Sequence, residues 1–325
     1  MRERYVGRTG LRVSRLGLGT MTWGRDTDEH EAREQLTEFV DAGGTLVDTA
    51  YSYTGGVSEQ ILGSMVGDLV ARDDLVIASK AGLGFRHGES VRDAARGTLL
   101  SQLDSSLLRL GVDHLDLWQV HVWDEMVPME ETLSALDYAV RTGRAAHVGV
   151  SNYTGWQTVL AHTWQRAVPD RTPVAAAQVE YSLLNRSVEH DLVPAAEYLG
   201  IGLLAWSPLA RGVLTGKYRA GIPADSRAAS PHFERFVQVY LTQRSARVVE
   251  AVARAADGLQ VSPLEVALAW VRDRPAVASA VVGARTAAQL KGTLAVEDVE
   301  LPVEIVDALD DVSADEGVPG DEPRP

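Results

Sequence analysis

Eight short apolar runs that alternate with longer amphipathic stretches predict an α/β fold, a single-domain (β/α)8 or TIM barrel. Strands that alternate with helices form a parallel sheet, and eight of them are enough to close it. The length of 325 residues fits, because such a barrel needs about 250 residues plus insertions. We predict one barrel domain over residues 1–312 and a disordered tail, rich in Pro, Gly and acidic residues, over 313–325.

Each predicted strand is short and rich in Leu, Ala or β-branched residues. The eight are RLGLG at 15–19, TLVD at 45–48, LVIASK at 75–80, LDLWQVH at 115–121, AAHVGVS at 145–151, VAAAQVE at 174–180, GLLAWS at 202–207 and ASAVVG at 278–283. Apolar spacing of three and four predicts helices between them, for example over 28–44 and 90–111, and both segments end at glycine. Residues 218–234 contain two prolines and indicate a long loop after the seventh strand, and such loops often act as lids.

The composition excludes several classes of site. The chain has no cysteine, so disulfides, thiol nucleophiles, thiolate metal sites and iron-sulfur clusters are ruled out. His147 and His162 have no ligand partner at metal spacing, and we propose no metal site. The sequence shows neither a signal-peptide core nor the roughly 20 apolar residues of a membrane span, so we expect a cytoplasmic protein with no membrane partner.

The charge pattern points to a small, phosphate-rich ligand rather than to nucleic acid. A formal net charge of -14 argues against nucleic acid as a general partner, because binding to phosphate backbones depends on clustered Lys and Arg. Between positions 211 and 235, however, the chain has five basic residues and only two acidic ones. The basic residues are Arg211, Lys217, Arg219, Arg227 and Arg235. This local excess predicts a place where a phosphate-rich cofactor binds.

Four polar residues follow predicted strands and together can donate a proton to a carbonyl. Asp48, Lys80 and His121 each close a strand, and Tyr53 lies five residues after Asp48. A tyrosine phenol has a pKa of about 10, and an adjacent ammonium such as that of Lys80 lowers this pKa. Asp48 would hold Lys80, and His121 would orient the substrate oxygen by a hydrogen bond. Tyr53 is then the predicted proton donor.

Taken singly, each of these four residues has an ordinary structural explanation. A tyrosine is usually a core residue with a satisfied hydroxyl, and a lysine at a strand end is usually a solvated charge. In a parallel barrel, however, the loops after the strands build the active site, so polar residues at several strand ends converge in space. The coincidence of all four favours a catalytic explanation.

An ordered series of segments over nearly the whole chain resembles the aldo-keto reductases. These segments are LGLGTMTWG, DTAYSYTGGVSEQILG, VIASK, SLLRLGVDHLDLWQVHVWD, EETLSALDYAVRTGRAAHVGVSN, QVEYSLLNR, LLAWSPLARGVLTGKY and VVGARTAAQL. The resemblance implies a (β/α)8 barrel that uses NADPH without a Rossmann domain and has Asp48, Tyr53, Lys80 and His121 as its catalytic tetrad. The HVWD and WSPLARG segments resemble the subgroup that includes potassium-channel β subunits and many bacterial reductases. In the β subunits the position of His121 is typically Asn, so His here favours a working reductase.

The same resemblance implies the cofactor contacts. It places Thr20 and Met21 near the nicotinamide ribose, Ser151, Asn152 and Gln178 at the carboxamide, and Trp206 against the nicotinamide ring. The belt over the pyrophosphate would comprise Ser207, Pro208, Leu209, Ala210, Gly212, Lys217 and Arg227, and the adenosine-phosphate end Gly283, Arg285 and Gln289. Asp48 belongs to both the catalytic and the cofactor sets. A guanidinium fork such as that of Arg285 suits a 2′-phosphate, so NADP is favoured over NAD.

One alternative is rejected, and one departure qualifies this resemblance. Gly17 and Gly19 form a lone G-x-G with no third glycine or ribose-binding acid, so a Rossmann fingerprint is rejected. Where related proteins commonly have QLxEN, this chain has Gln289, Leu290, Lys291, Gly292 and Thr293, without the acid and amide that usually contact adenine.

The predicted substrate is a small carbonyl compound, and the predicted pocket comprises Trp23, Tyr53, His121 and Trp123. Small aldehydes, sugar-derived ketones and quinone-like carbonyls all remain candidates, and the oligomeric state stays open. The alternative function is a cofactor-binding, redox-sensing regulatory subunit with little turnover. A cofactor-independent barrel enzyme such as an isomerase is disfavoured, because it would not require Trp206, Gln178 and Arg285 together.

Overall fold

The computed structural model describes residues 1–86, 89–224, 226–230 and 233–314. Within these ranges the strands are β1 (Glu3–Tyr5), β2 (Arg12–Ser14), β3 (Leu16–Gly19), β4 (Leu46–Asp48), β5 (Val76–Ala81), β6 (Leu83–Arg86), β7 (Glu89–Arg92), β8 (Leu115–Val120), β9 (Ala145–Ser151), β10 (Val174–Glu180), β11 (Gly202–Trp206) and β12 (Val277–Val282). The α-helices are α1 (Glu29–Asp41), α2 (Val57–Met65), α3 (Arg96–Leu110), α4 (Met129–Arg141), α5 (Gly155–Ala167), α6 (Leu192–Leu199), α7 (Glu234–Gln238), α8 (Gln243–Leu259), α9 (Pro263–Arg272), α10 (Ala287–Leu294) and α11 (Val303–Ser313).

Eight of these strands close into a parallel barrel. Their order around the barrel is β3, β4, β5, β8, β9, β10, β11 and β12, so each strand pairs with the next barrel strand along the chain and β12 closes on β3. The predicted (β/α)8 barrel is therefore confirmed, and all eight predicted strands are present. Because the strands are parallel, their carboxyl ends all open at one mouth of the barrel.

The other end of the barrel is closed by the amino-terminal hairpin of β1 and β2, which pair antiparallel. Val6, Leu11 and Val13 of this hairpin are buried and form one apolar cluster with interior side chains such as Leu46 and Leu117. The residues that precede the first barrel strand thus close the bottom and leave the opposite mouth open for chemistry.

The two helices predicted from spacing are both present, but one was predicted to start too early. Asp28 caps α1, and its carboxylate accepts a hydrogen bond from the Glu31 backbone at 2.9 Å. The segment predicted as helix from residue 90 begins instead with β7, which pairs with β6. The helix starts at Arg96, after Asp93 has accepted hydrogen bonds from Ala95 N and Thr98 Oγ1. Apolar spacing does not indicate the β7 strand or these Asp93 contacts.

The carboxyl-terminal helix α11 packs back onto the barrel domain. Arg186 donates to the Asp310 carbonyl at 2.8 Å and to Ser313 Oγ at 2.9 Å. The boundary expected at residue 312 falls inside the last turn of α11, and residues 315–325 of the expected tail lie outside the described residues. No helix in the described part of the chain has both the length and the apolar composition that crossing a bilayer would require.

A pair of glycine substitutions tests the packing of the barrel strands. In Gly149→Ala the new Cβ would lie 2.7 Å from the Ala176 carbonyl oxygen of the neighbouring strand, so we expect the free energy of unfolding to fall by about 1–3 kcal/mol. In Gly292→Ala the new Cβ has no heavy atom within 4 Å and lies inside α10, so a gain of about 0.5–1 kcal/mol is expected. Urea unfolding monitored by circular dichroism measures both, and a neutral Gly149→Ala would contradict the close strand approach.

Candidate active site

Lys80 lies at the centre of the predicted tetrad. Its Nζ is 2.7 Å from Asp48 Oδ2, 2.9 Å from the Thr49 carbonyl oxygen and 3.3 Å from the Tyr53 hydroxyl. The side chains of Asp48 and Lys80 are 3% and 1% exposed, so this is a buried ion pair. Burial alone would lower the pKa of Lys80, but the charges and hydrogen bonds of Asp48 and Tyr53 together outweigh it and raise that pKa above its usual value. The ammonium therefore stays charged beside the phenol.

The pKa of Tyr53 is raised, which corrects the expected net decrease. Desolvation of the hydroxyl is the largest cause and the charge of Asp48 adds to it, while Lys80 acts in the expected, lowering direction. Lys80 therefore moderates the pKa of Tyr53 without reversing the effect of burial. The consequence is that Tyr53 keeps its proton at neutral pH, as a proton donor must.

His121 contacts Tyr53 edge to face, with the ring centroids 5.9 Å apart. Burial, with a further contribution from the charge of Lys80, lowers the pKa of His121 to about 3. Its Nδ1 is buried and has no hydrogen-bond partner among the described residues. The ring is therefore neutral at physiological pH, beside the ring of Tyr53.

The three residues expected at a carboxamide converge on the same mouth, and two of them contact the tetrad. Gln178 Nε2 donates to Asp48 Oδ1 at 2.7 Å. Asn152 Nδ2 donates to the His121 carbonyl at 3.0 Å and to Ser151 Oγ at 3.2 Å. Trp206 Nε1 donates to Asn152 Oδ1 at 3.1 Å, so the indole is fixed relative to the amides.

The segment after β11 has an unusual backbone. Ser207, Ala210 and Arg211 have φ of +51°, +46° and +61°, a region that costs non-glycine residues energy and is concentrated at functional sites. Pro208 and Leu209 lie within this segment, and Gly212 follows it. A side chain on Gly212 would place its Cβ 3.1 Å from Lys217 Nζ. The expected belt residues from Ser207 to Gly212 thus form one segment with the Lys217 ammonium close to its backbone, whereas Arg227 lies with Arg25 and Arg285.

Arg211 fixes this segment to the barrel. Its guanidinium donates to both carboxylate oxygens of Glu180, at 3.0 and 2.8 Å, and lies 3.6 Å from the centroid of the Phe236 ring. Sequence analysis counted Arg211 among the cations of a phosphate site. The structure gives it an anchoring role, since a carboxylate already occupies its donor fork.

Three arginines meet at another part of the mouth. Burial and the neighbouring charges of Arg285 and Arg25 lower the pKa of Arg227, partly offset by Asp26. Arg25 and Arg227 lie 4.5 and 5.6 Å from the Phe233 ring, which joins the loop after β3 to the loop after β11. A bound anion would reduce the repulsion between these like-charged guanidinium groups.

Sequence analysis predicted Arg227 and Arg285 but missed Arg25. The available signal was a lone arginine just after the first barrel strand, at the same mouth as the other two. Near this cluster, Gln289 Oε1 accepts a hydrogen bond from the Arg285 backbone at 3.1 Å, and Gly283 lies against the Gly19 carbonyl.

Two residues expected at the ligand are used for packing. Trp23 has no exposed surface, and its indole N–H donates to Gln35 of α1 at 3.0 Å, so we remove it from the proposed pocket. Thr20 is also buried, with its Oγ1 2.7 Å from Ser58 Oγ and its backbone N–H bonded to the Asp48 carbonyl. It holds the end of β4 in place. Met21, the next residue, is half-buried.

Trp123 lies in an aromatic group two residues after His121. Its ring makes edge contacts with Tyr153 at 5.1 Å and Trp156 at 5.6 Å between centroids. Trp156 is exposed and Tyr153 is buried. Trp123 is itself half-buried. The described residues contain no group of three or more His, Asp or Glu side chains arranged to hold a metal ion.

Known proteins are similar to this chain over most of its length. The model of the Aldo/keto reductase family matches residues 15–314. The uncharacterized oxidoreductase YrpG of Bacillus subtilis is 35% identical over 96% of both chains, and so is a probable voltage-gated potassium channel subunit beta of Oryza sativa. The L-glyceraldehyde 3-phosphate reductase of Escherichia coli K12 is 34% identical over 90% of this chain and 86% of its own.

The low pKa of His121 gives a direct test of the site. We expect the ring resonances of His121, assigned through their loss in His121→Asn, to show no titration between pH 8 and pH 5, because burial and Lys80 disfavour the imidazolium. In urea-unfolded protein the ring of His121 should titrate at about 6.5. A His121 signal in the folded protein with a midpoint between pH 5 and 8 would contradict the neutral ring.

Proposed function

Because this chain belongs to the aldo/keto reductase family, we propose that it is an NADPH-dependent oxidoreductase that reduces aldehydes or ketones to alcohols, with Tyr53 as the general acid. The observation that carries this proposal is the position of one buried ammonium, 2.7 Å from Asp48 and 3.3 Å from the Tyr53 hydroxyl. A phenol that is protonated at neutral pH, next to a fixed cation, is suited to give up its proton during a reaction.

Bound NADPH supplies the hydride for the carbonyl carbon. The chain supplies the rest. The neutral His121 orients the carbonyl oxygen, and Tyr53 transfers its phenolic proton to that oxygen as negative charge develops there, so the product is an alcohol. Lys80 stabilises the tyrosinate left behind, and Asp48 keeps Lys80 charged and in place.

The residues of the mouth fit a dinucleotide phosphate. Arg25, Arg227 and Arg285 form a cluster of like charges that a 2′-phosphate would neutralise, which favours NADPH over NADH. The left-handed backbone of the segment after β11 and the ammonium of Lys217 suit the pyrophosphate. Asn152 and Ser151 offer donors and acceptors for a carboxamide beside the Trp206 ring.

The helix α10 contributes less than the resemblance would suggest. Gly292 has no side chain, Thr293 Oγ1 donates to the Gln289 carbonyl, and Lys291 pairs with Glu38 at 3.2 Å. Because none of these three residues supplies the usual acid or amide, we propose that the preference for NADPH depends on the arginine cluster.

A regulatory subunit is the second candidate, favoured by the relatives from Oryza sativa and Arabidopsis thaliana whose names describe potassium channel β subunits. The complete tetrad, with His121 beside Tyr53, supports turnover instead.

The reductase and the regulatory subunit are distinguished by following NADPH absorbance with a panel of aldehydes, ketones, quinones and a phosphorylated aldehyde. Steady multiple turnover supports the reductase, and a single stoichiometric oxidation supports the sensor.

The first functional prediction concerns the acid. Tyr53→Phe removes one hydroxyl, so we expect the fold and the NADPH affinity to persist while kcat falls by about 100- to 10,000-fold. The control is Tyr138→Phe, a half-exposed ring on the outer helix α4, which should retain wild-type turnover. A Tyr53→Phe enzyme with more than half of the wild-type kcat would exclude Tyr53 as the acid.

The second prediction concerns the cofactor. A charged hydrogen bond contributes about 1.5–3 kcal/mol, so Arg285→Ala should weaken NADPH by roughly 10- to 150-fold and NADH much less. Fluorescence titration measures both dissociation constants, with the exposed Arg254→Ala on α8 as the control. Equal weakening of the two cofactors would show that Arg285 does not contact the 2′-phosphate, and a wild-type preference for NADH would overturn the choice of NADPH.

A further inference from the structure

We propose that Arg109, held by Glu59, is a positioning residue that sets the distance between Tyr53 and Lys80. The proposal rests on the function proposed above and adds two residues that act from outside the mouth. Glu59 lies in α2, immediately after the turn that carries Tyr53, and Arg109 lies near the end of α3. Neither belongs to the tetrad.

Arg109 makes three contacts with the segment around Tyr53. Its NH1 donates to the Tyr51 carbonyl at 3.1 Å, and its guanidinium lies 4.5 Å from the centroid of the Tyr51 ring. The guanidinium also packs against Gly56, where an added Cβ would lie 2.3 Å from Arg109 Cζ. These contacts are placed two residues before Tyr53 and three residues after it.

The turn between these contacts needs support because its backbone is strained. Thr54, Gly55 and Gly56 have φ of +50°, +66° and +98°, and the left-handed region is costly for the threonine. Thr54 Oγ1 donates to the Trp23 carbonyl at 3.0 Å. Arg109 anchors the turn from the side of α3, so the path of the chain through Tyr53 is fixed by two different elements.

Glu59 connects Arg109 to the strand that carries Lys80. Its side chain is fully buried, with Oε2 3.1 Å from Arg109 NH1 and Oε1 accepting from Ser79 Oγ at 2.7 Å. Ser79 is the residue before Lys80 in β5. A continuous series of contacts thus runs from the strand of Lys80, through Glu59 and Arg109, to the turn of Tyr53.

The contacts of Arg109 require an arginine, and they act on the distance between Lys80 and Tyr53. NH1 reaches a carboxylate and a carbonyl at once while the planar guanidinium stacks on Tyr51, and a lysine ammonium on a flexible stem cannot make all three contacts. The distance that we expect Arg109 to control is the 3.3 Å between Lys80 Nζ and the Tyr53 hydroxyl. It is longer than the 2.7 Å between Lys80 Nζ and Asp48 Oδ2. A small displacement of the turn would break that contact first.

The experiment compares Arg109→Lys with a matched control, Arg72→Lys. Arg72 is equally shielded, with 20% of its side chain exposed against 21% for Arg109, and it also joins a carboxylate, Asp116, to backbone carbonyls. It differs in position, because it precedes β5 at the end opposite Lys80. Both variants keep the charge, so loss of general stability should be similar.

We expect Arg109→Lys to lower kcat by about tenfold or more, since a misplacement near 1 Å can cost about 100-fold, while the carbonyl KM and the NADPH dissociation constant stay within about twofold. Arg72→Lys should keep kcat within about twofold at a similar melting temperature. Glu59→Gln, which keeps the size of the side chain and removes its charge, should lower kcat in the same way and serves as the second variant if Arg109→Lys does not fold.

A wild-type-like kcat in Arg109→Lys or, where that variant does not fold, in Glu59→Gln would overturn the proposal, and so would an equal loss of kcat in Arg72→Lys. A second readout does not depend on turnover. In protein labelled with 13Cζ-tyrosine, the Tyr53 resonance, assigned through its loss in Tyr53→Phe, should shift at pH 7 in Arg109→Lys and not in Arg72→Lys.

The two proposals can fail separately. If the wild-type protein fails to oxidise NADPH with every carbonyl of the panel, the proposed function is excluded. The Tyr53 resonance alone then tests the positioning role. An unchanged resonance in Arg109→Lys overturns that role, whereas a shift that is absent from Arg72→Lys supports it.

Discussion

The buried ion pair between Asp48 and Lys80 is the constraint on which the rest of the site depends. Two charges with almost no exposed surface lose their hydration, and such pairs are tolerated when further hydrogen bonds satisfy their remaining atoms. Gln178 donates to the other oxygen of Asp48, and the Thr49 carbonyl accepts from Lys80. Because these partners come from β4, β5, β10 and the residue after β4, the pair is satisfied only when the barrel is closed.

A buried ion pair is a poor way to stabilise a protein, since apolar residues of the same size are often as good. Its value here lies in what it fixes. Asp48 keeps the lysine charged, the lysine faces the phenol of Tyr53, and a second layer of polar side chains holds the strand ends. Ser58 bonds to Thr20 and to Thr49, and Glu59 bonds to Ser79, so the first turn of α2 joins the ends of β3 and β4 to β5.

The sequence was sufficient to predict the eight strands and the convergence of the tetrad, because strand ends in a parallel barrel share one mouth. It was less informative wherever the outcome depended on burial. The net pKa of Tyr53 follows from desolvation, which sequence spacing does not report, and Trp23 is a packing residue because Gln35 of α1 receives its indole N–H. Arg25 was missed since its proximity to Arg227 depends on a contact between two distant loops through Phe233.

The order of strands around the barrel divides the mouth into three adjacent sectors with different chemistry. The arginine cluster follows β11, β12 and β3, the tetrad follows β4, β5 and β8, and the amides of Asn152 and Gln178 lie at β9 and β10, between the tetrad and the segment after β11. In the proposed function, a dinucleotide with its 2′-phosphate at the arginines and its carboxamide at the amides would have its nicotinamide between Trp206 and Tyr53. Asn152 joins these two sides directly, because it bonds to the carbonyl of His121 and to the indole of Trp206. The same amide therefore fixes the backbone of His121 relative to the indole of Trp206, the two residues that the proposed function assigns to the carbonyl and to the hydride donor.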